Sequence, residues 1–237
     1  MSPKQLRQTI YTLHRLYPQQ TTELVYNTPF QLLVAVMLSA QTTDRQVNKV
    51  TLSLFEQVTW PQDIVDMRQT WLDHAIRSIW LHHTKAKHIY LLSQILTSPW
   101  YNQQCATLHH TPQALAIYNL YHYRIPDTIE QLISLPGVGI KTAKVVGQIL
   151  YNLPVIAVDT HVHRICNRIG IVHTSSPQET DKKLADTIPH DLVPLCHHSM
   201  VLFGRYTCKA LTPLCPDCPL KNICWRYQKS YPSLKNR

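Results

Sequence analysis

Leu132-Ile133-Ser134-Leu135-Pro136-Gly137-Val138-Gly139-Ile140-Lys141-Thr142-Ala143 is the stretch from which the fold can be read. Apolar residues Ile129, Leu132, Ile133 and Leu135 form a helical stripe that runs up to Pro136. A second stripe, Ala143, Val146 and Ile149, resumes near Ile140. Between them the Pro-Gly-Val-Gly segment demands a tight turn, because proline stops a helix and glycine reaches backbone angles that other residues avoid. The pattern predicts a helix-hairpin-helix. Amides around Gly137, Val138 and Gly139, at the head of the second helix, would make a donor set that fits a phosphate, and the missing side chains would let a nucleic-acid backbone approach. A plain interhelical turn is the alternative. Only five glycines occur in 237 residues, against an average near ~7%, so two of them two positions apart call for a reason.

Working outward, the chain reads as helical almost throughout. Leu6, Ile10 and Leu13 fall at i, i+4, i+7, and Val47, Val50 and Leu54 at i, i+3, i+7. There is no Asn-Gly or Asp-Gly and no sustained alternation that would nominate a sheet. Thr28-Pro29 reads as a cap and first-turn proline, and the all-round apolar run from Phe30 predicts a central buried helix. Loops are expected at the proline clusters near Pro99, Pro112, Pro126, Pro177 and Pro213, and Pro99 to about Leu120 reads as an ill-defined connection. The expected fold class is all-α.

Three patches carry chemistry. Lys141, at the head of the second hairpin helix, is either a phosphate contact or an amine whose charged form the positive helix end disfavours, freeing it to attack carbon. Asp159, after Val155-Ile156-Ala157-Val158 and before Thr160, is expected to cap a helix running to Arg168; a carboxylate held by capping amides stays ionised and could also stabilise a cationic sugar. Gln41 sits at the apex of a polar turn, Leu38-Ser39-Ala40-Gln41-Thr42-Thr43-Asp44, capped by Thr43 or Asp44.

Cysteine use is uneven: Cys105, Cys166 and Cys196 are scattered and read as buried small hydrophobes, whereas Cys208, Cys215, Cys218 and Cys224 crowd together. The spacing Cys-x6-Cys-x2-Cys-x5-Cys suits one soft metal centre, either an iron-sulfur cluster or zinc. The paired histidines, His82-His83, His109-His110 and His197-His198, show no metal-ligand spacing, and His161 with His163 offers only a weak one.

Charge and length bound the partners. Twenty-three Lys and Arg against fourteen Asp and Glu give +9, the profile of a protein that meets polyanions. From Leu192 onward seven basic residues face the single acid Asp217. The longest apolar run, Leu32 to Leu38, falls far short of the ~20 residues a bilayer needs. The first residues lack the apolar stretch of a secretory signal, so no membrane and a cytoplasmic, nucleoid-associated location are expected.

Taken together, LPGVGIKTA, VDTHVHRICNR, CHHSMVLFGRYTC with the 6-2-5 cysteine spacing, and PFQLLVAVMLSAQTTD resemble the endonuclease III family of the helix-hairpin-helix DNA glycosylases, in order, from about Leu6 to Cys224. The resemblance implies two helical domains: a six-helix barrel over 23–153 with the hairpin at about 128–150, and an iron-sulfur domain from 1–22 and 154–237, with DNA in the cleft between them. It implies a 4Fe-4S cluster on Cys208, Cys215, Cys218 and Cys224, structural for DNA binding. It further implies a monomeric bifunctional DNA glycosylase and AP lyase acting on double-stranded DNA with an oxidised pyrimidine or abasic site. Lys141 would be the Schiff-base nucleophile and Asp159 its partner carboxylate, with strand cleavage 3′ to the lesion by β-elimination. Gln41 matches the residue that fills the vacated space, Leu81 the wedge between neighbouring bases, and His161 a further DNA contact.

Trp80 and Ile140 depart from the pattern, which has glycine and a basic residue there; Trp80 is either core or an added stacking surface. The extra residues of about 99–120 also interrupt it. Rival readings are an adenine-mismatch glycosylase, which lacks the hairpin lysine and has a further C-terminal domain, another base specificity on the same scaffold, and a non-catalytic iron-sulfur DNA-binding protein.

Overall fold

The computed structural model describes residues 1–18, 22–99, 101, 112–113, 116 and 123–230. In chain order the main helices among them are α1 (Pro3–Leu16), α2 (Pro29–Leu38), α3 (Asp44–Gln57), α4 (Pro61–Ala75), α5 (His82–Thr97), α6 (Ile129–Ile133), α7 (Ile140–Tyr151), α8 (Thr160–Ile169), α9 (Pro177–Thr187), α10 (Val193–Tyr206) and α11 (Trp225–Ser230), with a short 3-10 turn at His190–Leu192. No strand occurs among the described residues. The fold is all-α and divides into two compact units, Thr22–Asn152 and Met1–Thr21 with Leu153–Arg237.

The Thr22–Asn152 unit is built around α2, all ten residues of which are buried. Thr28 starts it, its Oγ1 accepting from the Gln31 N–H at 3.2 Å ahead of Pro29. The one polar side chain on α2 is satisfied in the core: Gln31 Nε2 donates to the carbonyls of Val58 at 2.7 Å and Phe55 at 3.3 Å, and its Oε1 accepts from the Asn27 N–H at 2.7 Å. Against α2 lie α3, α5 and α7, and α4 packs along α5. Phe30, Leu33, Val47, Leu72, Ile89 and Val146 belong to one continuous core.

The other unit has its own core, in which Leu6, Ile10 and Leu13 of α1 meet Val162, Ile165 and Ile169 of α8 and Met200 and Phe203 of α10. A capping box begins α1: Ser2 Oγ accepts from the Gln5 N–H at 3.3 Å, and Gln5 Oε1 accepts from the Ser2 N–H at 2.9 Å. Cys166 and Cys196 are buried here as small apolar residues; burial pushes both thiols up, Cys196 to about 12. This unit carries fourteen basic against six acidic side chains and the other nine against eight, so +8 of the +9 lies on it.

Two expectations need correction. The first hairpin helix stops at Ile133 rather than Leu135, because the residue before proline avoids helical angles and Ser134 and Leu135 turn instead through bonds to the Gln131 and Leu132 carbonyls. Trp80 is 62% exposed, which excludes its core reading. Most of the 99–120 connection lies outside the described residues, as do Cys105 and His109-His110. No described helix is long and apolar enough to cross a membrane.

Candidate nucleic-acid interface and cysteine site

The hairpin joins α6 to α7 through two glycines with different duties. Gly137 has φ +75, and a Cβ there would lie 2.7 Å from Cβ of His88 on α5. Both the backbone angle and the space forbid a side chain. Gly139 is the N-cap of α7 with an extended backbone, and a Cβ there would meet nothing within 4 Å. The space beside it is open to solvent. Val138 between them is buried and anchors the turn, its N–H donating to the Leu135 carbonyl at 3.1 Å. The first helical bond of α7 is Ala143 N–H to the Gly139 carbonyl at 2.9 Å, so the amides of Ile140, Lys141 and Thr142 precede the helical ladder. The Lys141 side chain is exposed in that first turn, and Ile140 beside it is also exposed.

Elsewhere in the same unit, Gln41 and Leu81 share a rare backbone state. Gln41 has φ 59 and Leu81 has φ 58, in the left-handed region where non-glycine residues are strained. Both are exposed, and with Trp80 and Gln46 they line an open groove of about 660 Å³. Sequence reasoning missed the group that joins their two loops. Lys85, buried on the first turn of α5, donates its Nζ to the Leu38 carbonyl at 2.8 Å and the Ala40 carbonyl at 2.7 Å. The ammonium thus caps the last carbonyl of α2 and holds that of Ala40 in the turn just before Gln41, and burial lowers its pKa. Its isolated position in the sequence offered no signal, since its partners are backbone atoms forty-five or more residues earlier.

In the other unit Asp159 is the N-cap of α8, its Oδ1 accepting from the Val162 N–H at 2.8 Å. His161, in the first turn, lies against Arg164, whose Nη2 is 3.1 Å from its Nδ1; burial lowers the imidazole pKa, with Arg164 and Arg205 adding to the shift and Asp159 opposing it. His163 turns elsewhere, its Nδ1 lying 2.6 Å from Thr180 Oγ1, so the two histidines do not form a ligand pair. Arg164 and Arg168, one turn apart on α8, grip the start of the cysteine segment. Arg164 Nε donates to the Cys208 carbonyl at 3.1 Å, and Arg168 donates to those of Lys209 at 2.6 Å and Ala210 at 2.7 Å. The sequence marked neither arginine as a support.

All four clustered cysteines are free thiols lining one cavity, together with apolar Ile169, Phe203, Leu214 and Leu220. Burial, followed by the neighbouring sulfurs, raises the Cys218 and Cys224 thiols, although backbone N–H groups oppose the shift. Such a set is costly as bare thiolates and fits a metal centre that takes the sulfur charge. The four thiols also interact electrostatically with one another, as side chains converging on one centre do.

Comparison with known proteins agrees with this architecture. Residues 34–190 match the HhH-GPD superfamily base excision DNA repair protein family. Endonuclease III of Rickettsia felis is 41% identical over 210 residues, 89% of each chain. Endonuclease III of Bacillus subtilis is 37% identical over 227 residues, 95% of this chain and 94% of that one. The solved structure of a trapped endonuclease III–DNA covalent intermediate, an estranged-adenine complex, superimposes with a TM-score of 0.79 at 38% identity, covering 97% of this chain and 99% of the other.

Proposed function

Since the chain belongs to the endonuclease III family, within the HhH-GPD superfamily of base excision DNA repair proteins, and is a DNA-binding DNA glycosylase and AP lyase, we propose that Lys141 is its nucleophile and Asp159 the carboxylate that assists. The observation that carries this reading is an exposed lysine in the first turn of α7, two residues after a glycine with open space beside it. Phosphate of the lesion-bearing strand is held by the first-turn amides of α7, with Val138 as the buried anchor of the hairpin rather than a contact. The neutral Lys141 amine attacks C1′ of the extruded nucleotide, and the glycosidic bond breaks as the oxidised pyrimidine leaves with the electron pair and takes up a proton. The sugar ring opens to a Schiff base on Nζ. Loss of a C2′ proton then expels the 3′ phosphate, and water releases the lysine. Asp159, fixed by the Val162 amide, stabilises the positive charge that develops on the sugar. Gln41 fills the emptied stack, Leu81 separates the neighbouring bases, exposed Trp80 adds a stacking face, and His161 contacts the DNA.

Cys208, Cys215, Cys218 and Cys224 are read as holding a 4Fe-4S cluster. The four cysteines line one cavity with apolar neighbours, and the family likeness favours a cluster there over a single zinc ion. When bound, the cluster supplies a covalent brace for residues 208–224 and no bond-breaking chemistry. Basic side chains on and beside that brace, Arg205 and Lys209, serve DNA binding.

The test is borohydride trapping on duplex DNA carrying thymine glycol or an abasic site. Wild type is expected to give a covalent adduct and Lys141→Ala none, while Asp159→Asn keeps DNA binding and loses turnover. Undiminished trapping by the alanine variant would refute the assignment of the nucleophile.

A further inference from the structure

We propose that Asp73, His82 and His83 form a binding site for a first-row divalent metal ion such as Zn²⁺ at the junction of α4 and α5. The imidazole Nδ1 of His82 lies 2.8 Å from one Asp73 carboxylate oxygen, and Nδ1 of His83 lies 2.9 Å from the other. The two rings lie against each other, centroids 3.9 Å apart and tilted by 41°, so both nitrogens converge on the one carboxylate. One ligand atom from each residue falls mutually within 4.8 Å. A tetrahedral ion bound at about 2.0–2.2 Å holds neighbouring nitrogen and oxygen ligands roughly 3.3–3.6 Å apart, so the two histidine–aspartate pairs need to open by only about half an ångström to admit it. Two nitrogens and one carboxylate are the donor set that zinc and its neighbours in the series prefer, and three protein ligands leave a position for water or a phosphate oxygen.

The elements supply the rigidity such a site requires. Asp73 is on the last turns of α4 and is about three-quarters shielded, as is His82; His83 is 79% exposed and opens the site to solvent. Against the effect of burial, hydrogen bonds from the two histidines hold the Asp73 carboxyl below its ordinary range. With both Nδ1 atoms on Asp73, each neutral ring donates its proton to the carboxylate; a divalent ion takes the place of those protons, each ring carrying its proton on Nε2 instead, and binds both nitrogens and the single carboxylate charge together. The histidines are the first two residues of α5, directly after Leu81 and its left-handed backbone. Metal binding would therefore tie the loop bearing Trp80 and Leu81 to α4. Adjacent histidines carried no metal spacing in the sequence because the third ligand comes from the preceding helix.

Isothermal titration of the full chain as isolated with Zn²⁺ alone tests this. Relative to wild type, Asp73→Asn and His82→Gln are expected to lose one equivalent of binding or at least tenfold in affinity. His83→Gln, altering a side chain that is 79% exposed, should do the same without disturbing the fold. Zn²⁺ should also raise the unfolding temperature of wild type but not of His83→Gln. Identical stoichiometry and affinity in wild type and His83→Gln overturn the proposal, whatever the outcome of DNA trapping.

Discussion

Gly137 and Gly139 are two positions apart, yet they answer to different constraints. At Gly137 an added methyl must take a left-handed backbone and meet His88 Cβ at 2.7 Å, a contact that real Cβ atoms do not make. We expect Gly137→Ala to cost about 2–4 kcal/mol of unfolding free energy, measured in urea, from backbone strain and overpacking together. Gly139→Ala meets no neighbour and keeps an accessible backbone angle, so its stability cost should stay under about 1 kcal/mol. If the strand passes beside α7 as proposed, this second variant should weaken binding to lesion duplex all the same, read by fluorescence anisotropy. A residue can thus be glycine for the protein's own packing or for its partner's approach, and the composition that drew attention to both could not separate them.

Helix α8 does three jobs along its ten residues. Its N-terminus is capped by Asp159, its apolar face enters the core through Val162, Ile165 and Ile169, and its remaining face sends Arg164 and Arg168 to the loop after Cys208. The cap was legible beforehand, since an acid between an apolar run and a threonine is a standard helix start. The grip on the cysteine segment was not, because the partner carbonyls lie about forty residues away and no side-chain pattern marks a carbonyl. Arg168→Ala removes charge-assisted bonds of 2.6 and 2.7 Å. If the four cysteines hold the proposed cluster, we expect the purified variant to release iron to a chelator roughly tenfold faster than wild type, as losses around metal ligands generally do. An unchanged release rate would mean that the cysteine loop keeps its shape without α8.

At the scale of the whole molecule, charge is the property with reach. The unit of residues 1–21 and 153–237 holds +8 and the hairpin unit +1, so affinity for duplex DNA should fall steeply with salt. Each neutralised phosphate adds about −0.9 to the slope of log K against log salt. Lys209→Gln, at an exposed position beside Cys208, is expected to make that slope shallower by about 1. The sequence alone determined the all-helical fold, the hairpin, the buried α2 and the spacing of the four cysteines. Each of these is written in local order: apolar period, turn residues, caps and short ligand intervals. Only the tertiary structure decided that Trp80 is exposed, that Gln41 and Leu81 carry left-handed backbones in loops joined by Lys85, and that Asp73 meets His82 and His83. Those facts depend on which distant backbone and side-chain atoms the packed helices bring within a few ångströms, and chain order does not encode such distances.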